Sequence, residues 1–345
     1  RGLLQVGPDS SSADPGPACY GRGGDQPTVT DCDLLLGYLN ENSFLGGKMK
    51  LNRKATIQAI KIQLAEPLGI SLEEAAWGVH ETVTANMAQA ATIHAIERGL
   101  DATRFAMLPI GGAGPVHACS MAKKMGISRM VCPAGAGVAS AIGMLAAAIS
   151  FEIGRAAPCE LALLDYNHAA SLLHEMADEA SSLIISAGAD KNKVRQDFSV
   201  MMRYLGQGYE IEVSIALEMI ESHDGEGLLE QFSRAYRDRY GRSEDMHTEI
   251  LSWRLAVTGP RSTLGDTLGQ QKHETKSAPT PRNHRPVWFE NGYVETPVYK
   301  RSDFFVGSHI DGPAIIEETE STLVLPIGFK LDVDAARNLI LETTT

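Results

Sequence analysis

The sequence predicts a mixed α/β fold with a mainly parallel sheet in its first half, and two observations support this prediction. Residues 105–149 repeat the order strand, glycine-rich turn and helix, which is typical of βαβ units. From residue 159 onward, long helical patterns, an alternating hairpin and short strands replace that order. We therefore expect an α/β domain, an α+β module, a linker or loop and a small β module, at residues 1–158, 159–260, 261–286 and 287–345.

The first hundred residues divide into an irregular segment and two helices. Residues 13–24 read ADPGPACYGRGG, with four glycines and two prolines, a composition that opposes both helix and strand. Residues 53–66 predict a helix that stops before Pro67. The S-x-x-E pattern at Ser71–Glu74 is a capping box, so a second, long helix begins there, and Gly99 is its natural end.

The βαβ pattern occupies the next fifty residues. Residues 105–110 predict a buried strand, residues 111–114 a tight turn, and residues 116–125 a helix capped by Gly126. A second strand at 129–132 and a second helix at 138–149 complete the repeat.

The second half predicts different elements. We expect a helix over 161–187, a hairpin turning at Gly206–Gly208, a helix over 226–240 and a strand over 247–257. Residues 261–286 are polar and lack periodicity, which is typical of a linker or mobile loop.

Composition limits the classes of function. The 345 residues carry a net charge of −12, which argues against a nucleic-acid or membrane-surface partner. No apolar run reaches membrane-spanning length. The five cysteines form no CxxC pair, so we expect reduced thiols in a cytoplasmic protein and no zinc site built on cysteines.

The glycine-rich turn IGGAGP at 110–115 is the first candidate binding feature. Its backbone N–H groups can face an anion at a helix N-terminus, and its glycines allow close approach to a phosphate or a flat base. It matches neither G-x-x-x-x-G-K-[ST] nor G-x-G-x-x-G, because His117 occupies the last position. Residue types leave nucleotide contact and tight packing equally open, and the PAGAGVAS turn at 133–140 adds a second such feature after the next strand.

Histidines and acidic residues supply further candidates. His117 either orients a phosphate or substrate or is a hydrogen-bonded structural residue, and the structural interpretation is favoured. His80 and His94 are about 21 Å apart along one helix, too far to share a metal.

Four charged residues surround the glycine–proline segment, and they have two interpretations. The carboxylates of Asp14, Asp31 and Asp33 could hold Mg²⁺, and Arg22 could hold a carboxylate or phosphate. The alternative, which the spacing favours, is that Asp14 and Asp31 bond their own turns and that Arg22 is a surface charge. Cys19 lacks a neighbouring base, so a nucleophilic role is not favoured.

Four runs carry a family resemblance over nearly the whole chain. They are VGPDSSSADPGPACYGRGGDQPTVTD, ANMAQAATIHAIERGLDATRFAMLPIGGAGPVHA, RYLGQGYEIEV and VETPVYKRSDFFVGSHIDGPAIIEETESTLVLPIGF. These runs resemble the hydantoinase A/oxoprolinase family. The resemblance implies an actin-like ATPase fold of the sugar kinase and heat-shock protein superfamily in the first segment, with the added α+β and small β modules. It also implies ATP and Mg²⁺ as cofactors, used to phosphorylate an amide or ketone carbonyl oxygen.

The resemblance assigns residues to a nucleotide site. The adenosine-side motif matches Gly111, Gly112, Ala113, Gly114 and Pro115. Residues in or beside the matching runs are implied to line the cleft: Asp14, Gly16, Cys19, Tyr20, Arg22, Asp31, Asn86 and His117. Catalytic residues and metal ligands remain unassigned.

The family's two D-x-G-G-T phosphate loops have no counterpart in this sequence. The chain therefore resembles the carboxyl-terminal half of an alpha subunit, and we expect no substantial ATP turnover from it alone. The implied partners are the upstream half, a beta-type hydantoinase B-like subunit and a small-molecule substrate. Three functions stay open: a hydantoin- or 5-oxoproline-type amidohydrolase, a ketone carboxylase, and a non-catalytic structural fragment.

Overall fold

The structure is a computed structural model that describes residues 4–261 and 278–344. The described residues fall into two compact units, one formed by 4–143 and 278–344 and the other by 144–261. The first unit thus combines both ends of the chain. The two units are described separately below.

The helices of the described chain are α1 Val29–Leu35, α2 Arg53–Ile60, α3 Glu66–Leu68, α4 Leu72–Glu97, α5 Gly114–Met125, α6 Ala139–Ala146, α7 Tyr166–Ser186, α8 Leu217–Glu221 and α9 Gly225–Tyr240. The strands are β1 Arg129–Cys132, β2 Ser150–Glu160, β3 Arg195–Tyr204, β4 Ile211–Ile215, β5 Thr248–Thr258, β6 Asn283–Phe289, β7 Gly292–Lys300, β8 His309–Asp311, β9 Ala314–Glu317, β10 Thr322–Leu325, β11 Phe329–Val333 and β12 Leu339–Thr343. None of the helices in the described ranges is long and apolar enough to cross a membrane.

The first unit is layered around a sheet that is buried on both faces. Its strand order is β10-β9-β7-β6. On β9, Ile315 packs into the core formed with α1, α2 and α4, whereas Ala314 and Ile316 pack into the core shared with the second sheet, β1-β12-β11-β8. Burial on both faces explains why β9 is an uninterrupted apolar run, since alternating residues of a strand face opposite sides.

The predicted parallel sheet is not found among the described residues. Strand β1 pairs antiparallel with β12, and the parallel contacts are the β7–β9 pair and one bridge between Met107 and Met130. The predicted strand at 105–110 is therefore reduced to one bridging residue, and Phe105, Leu108 and Ile110 are exposed. The first βαβ unit survives in this minimal form because α5 connects Met107 to β1.

The long helix α4 confirms its sequence prediction. Ser71 accepts a hydrogen bond from the Glu74 backbone N–H at 3.1 Å, and the Glu74 carboxylate accepts one from the Ser71 N–H at 2.8 Å. The prediction that the helix over 53–66 stops before Pro67 is wrong. The helix is observed as α2, a π-helical turn at Lys61–Ala65 and α3, which includes Pro67 and ends before the left-handed Gly69. Helix α5 also ends as predicted, with Gly126 in the left-handed conformation.

The second unit is a two-layer α+β arrangement. Its antiparallel sheet has the order β2-β5-β3-β4, and β3 and β4 form the predicted hairpin. Leu173, Met176, Ala180 and Ile184 recur at helical spacing on α7 and pack with the buried strand residues. The predicted helix over 138–149 is shorter than expected, because α6 ends at Ala146 and Ser150 already pairs with β5.

The predicted small β module is not separate from the first domain. Its last strand, β12, pairs with β1, and β9 packs against the amino-terminal helices. Residues 283–286 of the predicted linker belong to β6, and residues 262–277 lie outside the described part of the chain. The predicted boundaries at 158 and 286 therefore differ from the observed division of the chain.

Candidate functional site

The glycine–proline segment at 13–24 folds back on itself through very close backbone contacts. Gly16 has φ +76°, which L side chains rarely adopt. A Cβ at Gly24 would lie 2.1 Å from the carbonyl oxygen of Gly16, so only glycine fits there. These two positions explain much of the unusual composition of the segment.

Asp31 holds this segment in place. Its buried carboxylate accepts hydrogen bonds from the backbone N–H groups of Ala18 (3.1 Å) and Cys19 (2.7 Å). It also accepts from the Thr28 N–H and hydroxyl at 3.0 and 2.8 Å, and from the Thr56 hydroxyl at 3.0 Å. Five donors on one buried carboxylate identify Asp31 as the anchor of the segment.

Cys19 lies inside this network and is fully buried. Burial, followed by the neighbouring Asp31 carboxylate, raises the pKa of the Cys19 thiol well above its usual range. A protonated, inaccessible thiol is a poor nucleophile. The structure therefore agrees with the sequence argument against nucleophilic catalysis by Cys19.

The glycine-rich turn at 110–115 leads directly into α5. Gly111 has φ +91° and donates its N–H to the Ala136 carbonyl at 2.8 Å, which joins this turn to the second glycine-rich turn. Gly112 and Ala113 are exposed, and Pro115 is buried at the second position of α5. A Cβ at Gly112 would lie 3.3 Å from the Glu320 carbonyl oxygen, so the turn lies close to the β9–β10 connection.

The two segments meet at one cavity of about 220 Å³. Tyr20 from the glycine–proline segment and Gly112 and Ala113 from the glycine-rich turn line it, together with Asp33, Glu318 and Glu320. The volume lies below the roughly 300–1,000 Å³ of typical small-molecule sites. The cavity therefore suits one part of a large ligand, and its three carboxylates disfavour an anionic part.

A buried cluster of Asp33, His80 and His117 lies beside this cavity, with all three residues at most 5% exposed. The cluster joins α1, α4 and α5. Asp33 Oδ1 lies 2.9 Å from His80 Nδ1, and Asp33 Oδ2 lies 3.7 Å from His117 Nε2. The two imidazole rings stack with centroids 4.5 Å apart. The three ligand-type atoms all lie within 4.8 Å of one another, which is compatible with one metal ion.

Thr84 determines the tautomer of His117. The Thr84 hydroxyl donates its single hydrogen to the His80 carbonyl at 2.7 Å, so its oxygen accepts from His117 Nδ1 at 3.1 Å. For a neutral ring, Nε2 then carries the lone pair that faces Asp33. Burial lowers the pKa of His117, partly opposed by Asp33 and reinforced by His80, which favours that neutral ring.

A second cavity of about 350 Å³ has His80 in its lining. Tyr38, Trp77, Lys123 and Phe289 contribute to its lining. The Trp77 ring stacks on His80 with centroids 5.7 Å apart, and Tyr38 meets His80 edge-on at 5.0 Å. The Asp–His–His cluster therefore borders two cavities of the first unit, the smaller through Asp33 and the larger through His80.

Two family models match almost the whole length of the chain. The model described as Hydantoinase/oxoprolinase matches residues 1–153, and the model described as Hydantoinase/oxoprolinase C-terminal domain matches residues 166–344. The chain belongs to the hydantoinase/oxoprolinase family.

Relatives of this hydantoinase/oxoprolinase chain include several enzyme subunits. It is 33% identical over 344 residues to caprolactamase subunit alpha from Pseudomonas jessenii, covering 96% of this chain and 49% of the relative. It is 27% identical to acetone carboxylase beta subunit from Xanthobacter autotrophicus, and the match covers 97% of this chain and 48% of the relative. It is 28% identical to 5-oxoprolinase from Saccharomyces cerevisiae, and the match covers 94% of this chain and 26% of the relative. The chain thus spans about half or less of the length of these relatives.

Solved structures extend the comparison to the fold. A nucleotide-free acetone carboxylase structure aligns with a TM-score of 0.79 and 26% identity, covering 99% of this chain and 50% of that chain. The ATP-dependent caprolactamase from Pseudomonas jessenii aligns with a TM-score of 0.72 and 31% identity, covering 100% of this chain and 50% of that chain. The hydantoinase/oxoprolinase resemblance inferred from the sequence is confirmed, and the mixed α/β class fits these neighbours.

The predicted site residues of this hydantoinase/oxoprolinase chain do not all lie at one site. Tyr20, Gly112 and Ala113 line the smaller cavity, and His117 lies in the buried cluster beside it. Asp31 and Cys19 form the internal hydrogen-bond network described above. Exposed positions outside that cavity lining are occupied by Asp14, Arg22 and Asn86, and Arg22 donates to the Ala13 carbonyl at 3.2 Å.

Sequence reasoning missed the cluster around Asp33. Spacing along α4 compares His80 with His94, which is too distant to share a metal, whereas the tertiary partner of His80 comes from α1. Thr84, one helical turn after His80, is absent from the sequence-based candidates. The usable signal was the buried-face spacing of His80 and Thr84 on α4, since a polar i, i+4 pair on an apolar face requires partners from another element.

Proposed function

We propose that this chain is the adenosine-side half of an ATP-dependent amidohydrolase that phosphorylates a cyclic amide carbonyl before hydrolytic ring opening. The observation that supports this most strongly is the convergence of two family-matching segments, residues 13–24 and 110–115, on one cavity. The proposed substrate class, hydantoin or 5-oxoproline type, follows the caprolactamase and 5-oxoprolinase relatives.

The chemistry explains the need for ATP. An unstrained amide is a poor electrophile, and phosphorylation of its oxygen creates a good leaving group for attack by water. ATP supplies the phosphoryl group and Mg²⁺ neutralises charge on the phosphates, so the protein contributes positioning and electrostatic stabilisation. In the proposal, the residues that hold the phosphates and Mg²⁺ belong to the upstream half of the alpha subunit.

The lining of the smaller cavity fits an adenosine better than a phosphate. Gly112 and Ala113 present backbone with little side chain, which allows close approach to a flat base, and Tyr20 adds an aromatic ring. Asp33, Glu318 and Glu320 would repel a triphosphate, whereas carboxylates accept hydrogen bonds from ribose hydroxyls. We propose that Gly111–Pro115 contact the adenosine and that Tyr20 and His117 lie at the edge of the cleft.

An incompletely paired segment supports the proposed upstream partner. Residues 105–110 make one parallel bridge, at Met107, and the side chains of Phe105, Leu108 and Ile110 are about half exposed. Extended backbone with exposed apolar side chains is typical of a surface that another strand or subunit covers. We propose that the upstream half covers this segment, that a beta-type hydantoinase B-like subunit completes the enzyme, and that the assembly works in the cytoplasm.

One observation favours a second candidate function. The nucleotide-free acetone carboxylase structure aligns with a TM-score of 0.79, compared with 0.72 for the caprolactamase. A ketone carboxylase would use the same nucleotide half but would consume bicarbonate. A non-catalytic fragment is the third possibility, and it predicts no nucleotide turnover in any assembly.

The deciding experiment measures ADP release from the chain co-expressed with the upstream half and the beta-type subunit. The substrates are hydantoin, 5-oxoproline and caprolactam, compared with acetone plus bicarbonate. We expect ADP release that depends on a cyclic amide and no substantial release from the chain alone. Release driven only by ketone and bicarbonate would establish the carboxylase, and silence on all substrates would support a structural fragment.

A matched pair of variants tests the proposed adenosine contact. In Gly112→Val the added side chain projects toward Glu320 in the cavity, and we expect KM for ATP to rise at least tenfold, equivalent to about 1.4 kcal/mol. Gly208→Val is the control, since nothing lies within 4 Å of a Cβ there. An unchanged KM for ATP in Gly112→Val would contradict the assignment of the turn.

A further inference from the structure

We propose that Asp33, His80 and His117 bind one divalent transition-metal ion of the Zn²⁺ class and that this ion fastens α1, α4 and α5 together. The metal site does not require the proposed reaction, although Asp33 also lines the smaller cavity. It rests on the position of three ligand-type atoms from three helices in one buried place. Two imidazole nitrogens and one carboxylate oxygen form a ligand set that zinc and neighbouring metals prefer.

The distances place all three side chains within reach of one metal ion. Zinc lies about 2.0–2.2 Å from nitrogen and oxygen ligands, so tetrahedral ligand atoms are roughly 3.3 Å apart. His80 Nδ1 lies 2.9 Å from Asp33 Oδ1, and His117 Nε2 lies 3.7 Å from Asp33 Oδ2, so each histidine faces a different oxygen of the carboxylate. One ligand atom from each residue lies within 4.8 Å of the others, and side-chain rotation would bring them to the shorter separations of a metal site. Nitrogen ligands disfavour Mg²⁺ and Ca²⁺, which prefer oxygen.

The hydrogen bonds of Thr84 orient His117 so that its Nε2 atom is available as a metal ligand. Thr84 accepts the Nδ1 proton of His117, so the Nε2 lone pair of the neutral ring faces the Asp33 carboxylate. A lone pair facing a carboxylate is repulsive unless a cation or a proton lies between them. Metal-bound histidines usually have such a partner on the other nitrogen, which fixes the tautomer and orients the ring.

The charge balance favours a cation at this place. Asp33 is buried, and its ion-pair partners within the described ranges are the two histidines. Burial of a carboxylate is costly unless a cation or hydrogen-bond donors compensate it. A divalent ion would compensate it, with release of the His80 Nδ1 proton. Asp33 also lines the smaller cavity, from which water can supply a fourth ligand.

The test measures metal content and the Co²⁺ spectrum of the same co-expressed assembly. After dialysis with Zn²⁺, we expect one zinc per copy of this chain above the metal content of the same assembly carrying His117→Gln. Co²⁺ substitution should give the visible absorption of a four-coordinate nitrogen and oxygen site. His80→Gln and His117→Gln should each weaken Zn²⁺ binding at least 100-fold. His94→Gln and His174→Gln remove histidines of α4 and α7 outside the cluster, and they should leave binding unchanged.

A variant that retains all three ligands provides a test that does not rely on removing a ligand, which could simply misfold the protein. Thr84→Val removes the partner of His117 Nδ1, and we expect a 10- to 100-fold loss of Zn²⁺ affinity with the Co²⁺ spectrum altered. Equal zinc content in His117→Gln and His94→Gln would overturn the proposal. Unchanged Zn²⁺ affinity in Thr84→Val together with no Co²⁺ spectrum in the unsubstituted protein would show that the cluster is only a hydrogen-bonded network.

Discussion

Two buried aspartates on α1, only two residues apart, have different surroundings. Asp31 receives five hydrogen-bond donors and holds the glycine–proline segment. Asp33 faces two histidines and a cavity. The sequence offered both as candidate Mg²⁺ ligands, with a turn-bonding alternative for Asp31. The donors to Asp31 lie 3 to 25 positions away, whereas the partners of Asp33 come from α4 and α5.

Replacement of Asp31 should destabilise the protein substantially. In Asp31→Ala the buried N–H groups of Ala18 and Cys19 lose their acceptor, so we expect the free energy of unfolding to fall by about 3–5 kcal/mol. Asp31→Asn retains one acceptor oxygen and should cost less. Urea unfolding provides the measurement, with exposed Asp9→Ala as the control. Equal stability of Asp31→Ala and Asp9→Ala would show that the network contributes nothing.

At the scale of single elements, α4 shows how local signals determine a helix. Its start is specified by two side chains three residues apart, and its buried residues follow at helical spacing, including Ala76, Val79 and His80. Strand 105–110 shows the opposite case. Its apolar residues predict a buried strand, yet strand formation depends on neighbouring backbone, which the described part of this chain provides at Met107.

The capping box of α4 gives a prediction with a defined pH dependence. Ser71→Ala should lower the free energy of unfolding by about 1 kcal/mol, because the Glu74 N–H loses its acceptor. Hydrogen bonds from Ser71 lower the pKa of Glu74. The contribution of Glu74 is therefore present above its unfolded-state pKa, near 4.5, and is lost as the pH falls through the lower folded-state pKa.

Unfolding curves at pH 7 and pH 3 measure this effect. The difference between the unsubstituted protein and Glu74→Gln should shrink at the lower pH. Ser10→Ala, at an exposed position before the first helix, is the control for Ser71→Ala. A difference that stays constant from pH 7 to pH 3 would contradict the assigned role of the Glu74 carboxylate.

At the scale of the whole molecule, the chain closes its first unit with residues from both ends. Strand β1 near the middle of the sequence pairs with β12 at the carboxyl end, and β9 packs against α1, α2 and α4. The cysteines of this unit are buried in its interior. Cys19, Cys32, Cys119 and Cys132 are all at most 1% exposed in this unit, whereas Cys159 in the second unit is partly exposed.

Thiol reactivity should distinguish the four buried cysteines of the first unit from the partly exposed Cys159 of the second unit. Burial raises the pKa of Cys132 to about 11 and also raises that of Cys159, which remains accessible to reagent. At pH 8 we expect a chromogenic disulfide reagent to label Cys159 first and the four buried thiols only slowly, because the thiolate is the reactive form. Cys159→Ser should remove the early phase, and guanidinium should release all five thiols. Rapid labelling of several thiols in native Cys159→Ser would contradict the buried arrangement.

The sequence alone determined the local elements and the family of this protein. Capping residues, helical spacing and the hairpin turn act between near neighbours, so α4, α5 and the β3–β4 hairpin were predictable, and the four family-matching runs identified the hydantoinase/oxoprolinase resemblance. The tertiary structure decided the strand partners and the Asp33–His80–His117 cluster. The β1–β12 pair joins residues more than 200 positions apart, and the cluster joins residues 37 to 84 positions apart, and a single sequence carries no local signal for such distances.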